Sequence, residues 1–136
     1  MNVRVVDASA LGALVFGEPA AERIAAQLSD GLLVAPSLLP FELASICLRK
    51  IRAHPTQKPL IQEAFECAGQ MAIESVEVDH SAIVALANDN ELSTYDASYL
   101  WLAQELRAEL VTLDTRLLKA MKRGRTPHGR TPSATP

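Results

Sequence analysis

Cysteine is nearly absent. Cys47 and Cys67 are the only two in 136 residues, with no Cys-x-x-Cys and no Cys/His pairing at zinc spacing. That excludes a disulfide-built secreted scaffold and a structural zinc module. Each thiol sits among helix-like apolar positions and reads as a buried free cysteine in a reducing, cytoplasmic setting. Aromatics are scarce at 4%, so Leu, Ala, Val and Ile must fill any core. No apolar run approaches the ~20 residues that cross a bilayer, so no membrane association is expected. The N-terminal stretch is interrupted by Asp7 and Glu18, and Gly17-Glu18-Pro19 looks like a turn, which does not suit a signal peptide. Strong basic charge is missing too: the net charge is −3, whereas a plain nucleic-acid-binding module is usually basic.

What is there suits one globular domain with one core, since 49% of the residues are hydrophobic and 21% charged. Residues 1–123 read as that domain. Residues 124–136, rich in Gly, Pro, Thr, Ser and Arg, read as a basic, disordered tail. Charge is unevenly spread: residues 1–114 hold all sixteen acids against seven bases, and residues 115–136 hold six bases and no acid. The acidic body invites a cation, while the basic end suits an anionic polymer.

Short β-rich runs alternate with helical stretches. Val3–Val6 ends at Asp7, and a helix is expected over Ser9–Phe16 and another over Ala20–Leu28. Leu32–Val34 reads as a buried strand, followed by a helix capped by Ser37 that carries Leu43, Ile46, Cys47 and Ile51 on one face. Thr56–Ala72 reads as helix, with Pro59 in its first turn. Val76–Val78 is the expected third strand. Ser81–Ala87 is helical and is stopped by Asn88-Asp89-Asn90. A long helix capped by Ser93 or Thr94 runs to Arg107. Leu110–Leu113 is the fourth strand, ending at Asp114, and Arg116–Arg123 is the last helix. This alternation predicts a three-layer α/β/α sandwich around a mainly parallel sheet. Ligands bind such sheets at the carboxyl ends of the strands, where Asp7 and Asp114 are placed.

Four acids stand out, and each has an ordinary explanation. Asp7 and Asp114 suit helix N-caps, and Asp96 forms Ser93-x-x-Asp96, akin to a capping box. Glu42 lies in a helix's first turns, where the dipole favours an acid. Together they converge on one rim of an α/β fold. Four carboxylates share a rim only if some are protonated or a cation sits among them. Hard oxygen ligands select Mg²⁺ or Mn²⁺, which suit phosphate substrates. The chemistry that matches is phosphodiester hydrolysis.

Val5-Val6-Asp7-Ala8-Ser9-Ala10, Phe41-Glu42-Leu43-Ala44, Thr94-Tyr95-Asp96-Ala97-Ser98-Tyr99-Leu100 and Val111-Thr112-Leu113-Asp114-Thr115-Arg116-Leu117 together resemble the PIN domain. More narrowly, they are similar to the VapC-type ribonuclease toxins of toxin–antitoxin pairs. The resemblance runs in order from about Val3 to Lys122, and Tyr-Asp-Ala-Ser-Tyr and Thr-Leu-Asp are its most specific segments. It implies that Asp7, Glu42, Asp96 and Asp114 are the catalytic, metal-binding acids. It further implies Mg²⁺-dependent cleavage of RNA, a homodimer, and neutralisation by a small antitoxin protein. The extension after Arg123 departs from the family pattern.

Other residues carry weaker signals. Ser9 suits a contact to a metal-bound water, but an N-cap or ST-turn is the simpler expectation. Thr112 suits either a contact supporting the site or ordinary strand filling. Arg116, and the Arg49-Lys50-Arg52 cluster, offer phosphate contacts or merely solvated charge. Tyr99 and Trp101 are expected in core or dimer packing. His54, His80 and His128 lie in turns or the tail with no acid motif beside them. A phosphoacceptor receiver domain would need an Asp ending a middle strand and a late Lys. A haloacid-dehalogenase-type phosphatase would need Asp-x-Asp, where this chain has Ser9. Neither pattern is present. An inactive interaction module on the same fold would not need all four acids.

Overall fold

The computed structural model describes residues 2–124. The first half forms β1 (Val3–Val6), α1 (Ala8–Val15), α2 (Ala21–Gln27), β2 (Leu32–Pro36) and α3 (Leu39–Ala53). After a short 3-10 turn come α4 (Lys58–Ala68), β3 (Ile73–Val76), α5 (His80–Asn90), α6 (Thr94–Leu106), β4 (Glu109–Val111) and α7 (Thr115–Gly124). The expected tail from residue 125 onward lies outside the described residues, while Gly124 is the last residue of α7.

The sheet has four strands in the order β3-β2-β1-β4, and every pairing is parallel. From β1 the chain steps to β2 and then β3 in one direction, before crossing over to β4 on the far side of β1. Parallel crossovers are right-handed, so the two directions of travel place their helices on opposite faces. Accordingly α1, α2, α3 and α4 pack together, and α6 packs on α5, α7 and the strands. The three-layer α/β/α arrangement is the one expected from the alternation.

Central β1 is covered on both sides, which is why Val5 and Val6 are both fully buried. They belong to a main core with Leu11, Ile24, Leu100 and Leu117. A small second cluster of Ile83, Ala87 and Ala97 lies between α5 and α6, and Trp101 packs against both cores, as expected of it. Two backbone details fix the layers. Gly31 has φ +94°, and a β-carbon there would lie 2.2 Å from the Asn2 carbonyl oxygen, so the turn into β2 requires glycine. Gly12 of α1 faces Ile46, whose Cδ1 would stand 3.2 Å from an added β-carbon, so α3 rides close over α1.

Several boundaries differ from the sequence reading. The third strand is Ile73–Val76, not Val76–Val78, because pairing with Leu33–Pro36 of β2 sets its register. Ser37 does not cap α3; Leu38 holds that position without a side-chain cap, and Pro40 lies in the first turn. Helix α4 ends at Ala68, ahead of Gly69. Asn88-Asp89-Asn90 does not stop α5, which continues to Asn90 and closes on Glu91 in the left-handed region at φ 54°. Cys47 is buried as expected, but Cys67 is exposed.

Candidate active site

The chain reverses its stepping direction between β1 and β4, and the carboxyl ends of those two strands flank the crevice so made. Asp7 follows β1 directly. Asp114 is three residues past β4, rather than one as expected, because the strand ends at Val111. Glu42 comes from the first turn of α3 and Asp96 from the first turn of α6. All four acids therefore project from the carboxyl-end rim.

Asp7 is the most tightly held. It is 5% exposed, and its carboxylate accepts three hydrogen bonds. Oδ1 accepts from the Ser9 hydroxyl at 2.8 Å and from the Ala10 N–H at 3.0 Å, while Oδ2 accepts from the Thr112 hydroxyl. Each hydroxyl has one proton, and both are spent on Asp7, so the 3.3 Å approach of Ser9 to Thr112 is a contact only. As acceptors the same hydroxyls fasten the β4–α7 loop: Ser9 takes the Leu113 N–H at 2.9 Å and Thr112 takes the Asp114 N–H at 3.0 Å. The Asp7 carboxylate thereby ties the end of β1 to the end of β4. Its bond from the Ala10 N–H also caps α1, so cap and site residue are the same side chain.

Glu42 is held from the opposite layer, where the buried Tyr99 donates its phenolic hydrogen to Oε1 at 2.6 Å. Asp96 begins α6 beside Ser93, whose hydroxyl accepts the Asp96 N–H at 3.0 Å. Asp114 caps α7, its Oδ1 accepting the Arg116 and Leu117 N–H groups at 2.8 and 3.3 Å.

Electrostatically the rim is under tension. Burial pushes the Asp7 carboxyl above its ordinary range against its three hydrogen bonds, and the charge of Asp96 adds to the rise. Burial raises Glu42 as well, opposed by the Tyr99 bond and reinforced by Asp96 and Asp7. Asp96 is raised by burial and by Asp114, with Arg116 pulling it down. The Tyr99 phenol is held well above its usual range by burial and by Glu42, so it remains a donor. None of the ion pairs formed among the described residues reaches these acids.

The PIN-domain sequence profile matches residues 4–123, from β1 through α7. The chain belongs to the PIN-domain family. A crystal structure of PAE2754 from Pyrobaculum aerophilum is similar to it in fold, with a TM-score of 0.73 over 89% of this chain and 87% of that one. Sequence identity there is 23%, so the likeness concerns the fold alone. None of the curated proteins compared with the chain matches it. PIN domains are generally nucleases that use divalent metal ions.

The geometry of this PIN domain places the weaker candidates. Ser9 bonds Asp7 directly instead of capping a helix, and Thr112 supports Asp7 from just past the end of β4. Arg116 is near enough to Asp96 to stabilise its charge. Arg49 and Lys50 line a groove of about 530 Å³ that opens beside Ser9 and Leu113 and includes His54. There Lys50 is committed to Glu18 and stands over the Phe16 ring. The sequence points Tyr99 to core or dimer packing; it is indeed buried in the core, and its hydroxyl is in addition a site contact. A tyrosine three residues after Asp96 lies on the same helical face, and that spacing is the signal that could have exposed it.

Proposed function

We propose that this PIN domain is a metal-dependent endoribonuclease and the toxin component of a type II toxin–antitoxin pair. Asp7, Glu42, Asp96 and Asp114 are its catalytic and metal-binding carboxylates. One observation carries the reading: four acids line the rim where the chain reverses its stepping direction, and three are pushed toward protonation by burial and by the charge of neighbouring acids. A cation relieves that tension.

The donors fit Mg²⁺, with Mn²⁺ the alternative, because all are hard oxygens. Among the described residues no three acids, histidines or cysteines stand close enough to make a complete cage. Mg²⁺ rarely needs one, being held by one or two carboxylates together with waters and substrate phosphates. When bound, the ion supplies a more acidic water and charge neutralisation at the phosphate. The protein contributes preorganisation. Asp7 is locked by Ser9, Ala10 and Thr112, and Glu42 by Tyr99, so neither carboxylate must reorient as charge develops. Asp114 is fixed through the α7 cap while remaining half-exposed.

The family points to RNA as substrate. The acidic rim also suits guanidinium groups, which supports a small antitoxin partner that inserts a basic or apolar segment. A homodimer and a cytoplasmic location complete the reading; among the described residues no helix is long and apolar enough to cross a membrane.

The test is cleavage of an RNA panel in Mg²⁺ or Mn²⁺ against EDTA, with circular dichroism on the same samples. Asp7→Asn should remain folded and lose cleavage. Wild-type rates in that folded variant would overturn the site assignment. Co-expression with the neighbouring reading frame should co-purify a small protein. A chain that is harmless alone and retains no such protein would remove the toxin reading while leaving the nuclease one standing.

A further inference from the structure

Among the described residues only two aromatics are exposed, Phe41 at 82% and Tyr95 at 63%. They are also the residues immediately before Glu42 and Asp96. The first turns of α3 and α6 thus each present an exposed ring followed at once by a half-buried acid. The two turns meet across the rim, since Glu42 bonds Tyr99 of α6 and feels the charge of Asp96. Phe41 and Tyr95 line one recess of about 400 Å³, completed by Leu38, Glu42 and Ser45.

Exposed rings in so aromatic-poor a chain cost solubility, and packing does not account for them. The recess has the volume of a small-ligand site. It offers apolar and aromatic walls, the hydroxyls of Ser45 and Tyr95 and one carboxylate, and no cation lines it. A phosphate would be repelled there by Glu42, whereas a neutral planar base would not. Stacking of unpaired bases on aromatic side chains is the usual basis of single-strand recognition.

We propose that Phe41 and Tyr95 form a stacking pocket for one unpaired nucleobase of an RNA strand, positioning the adjacent phosphodiester over the carboxylates. The proposal rests on the nuclease reading for its role in cleavage, although base binding itself can be measured without cleavage. A second copy of the chain is the competing occupant. Docking the patch on its own symmetry mate would bring two acidic rims together, so the base is favoured.

The test uses unstructured oligoribonucleotides carrying a single 2-aminopurine at successive positions, whose fluorescence falls on stacking. Binding is titrated in EDTA on wild type, Phe41→Ala, Tyr95→Ala and Tyr95→Phe. Both side chains are exposed, so the variants should fold, and circular dichroism checks this. One probe position should be quenched by wild type and by Tyr95→Phe. Each alanine variant should lose that quenching and bind about ten-fold more weakly, within the range that base–aromatic stacking supplies. In Mg²⁺ the alanine variants should raise KM by a similar factor with kcat nearly unchanged. An abasic site at that position should impose the same penalty on wild type and none on the variants. Wild-type affinity and quenching in both alanine variants would overturn the pocket. So would a dimer that falls apart in light scattering when either ring is removed while RNA binding is kept, which would assign the patch to a second copy. Failure of wild type to cleave any RNA would defeat the nuclease reading instead, leaving the EDTA titration to decide the pocket.

Discussion

At the scale of single residues, the candidate site depends on side chains that are not acids. Thr112 and Ser9 spend their hydrogens on Asp7 and use their lone pairs to hold the loop before α7. Replacing Thr112 with valine keeps the shape and removes both bonds. That leaves Asp7 Oδ2 without its donor and the Asp114 N–H without its acceptor, at a cost of about 1–3 kcal/mol. Activity should fall by about 10–100-fold, the usual effect of losing a group that orients a metal-binding side chain. Thr112→Ser should recover most of the loss. Cleavage rates and melting curves on the three proteins check this. Full activity in a stable Thr112→Val protein would reduce the hydroxyl to strand filling. Both readings of Thr112 and Ser9 were open in the sequence because a hydroxyl beside a strand end bonds backbone or carboxylate equally well. Only the pairing of β1 with β4 brings residues 9 and 112 together.

At the scale of elements, long and strongly patterned segments were legible and ends were not. Four strands, the helices between them and their alternation were visible in the apolar runs. The apolar signal points past the edge strand β3 because Glu74 and Ser75 are exposed and interrupt it, while Val78 packs toward α5 and α6. Asp114 shows why the caps could not decide function: it caps α7 and also repels Asp96. Substitution separates these two effects. Asp114→Asn retains an acceptor for the Arg116 and Leu117 N–H groups and should melt at or above the wild-type temperature in EDTA. Asp114→Ala loses the cap and should be destabilised by about 1 kcal/mol. Both should lose cleavage and gain less stability from Mg²⁺ than wild type does. Undiminished cleavage by Asp114→Asn would confine this residue to capping.

At the scale of the whole molecule, the fold gathers acids that are far apart in sequence onto one rim, and that convergence has a measurable pH signature. Asp7, Glu42 and Asp96 all have raised folded-state pKa values, with burial the largest cause of each. The folded chain therefore holds protons on these groups that the unfolded chain has already released. Stability then falls as pH rises, because the unfolded state binds fewer protons across that interval. Their favourable contribution is complete below the ordinary carboxylate values and is lost as pH climbs through the raised ones. In EDTA the protein should accordingly lose stability over the lower part of a series from about pH 4.5 to 8. Mg²⁺ binds the ionised carboxylates, so its stabilising increment should grow along the same series. Cleavage should follow that increment, with an acidic limb lying above the ordinary carboxylate range. Other titrating groups also contribute to the absolute slopes, so the decisive quantity is the difference from Asp96→Asn. That variant has one fewer group to titrate and less repulsion on Asp7 and Glu42. Its EDTA stability should vary less steeply with pH than that of wild type, and its Mg²⁺ increment should be smaller at every pH. Parallel curves for the two proteins in EDTA, together with equal increments, would mean that the four acids share a rim without sharing a charge.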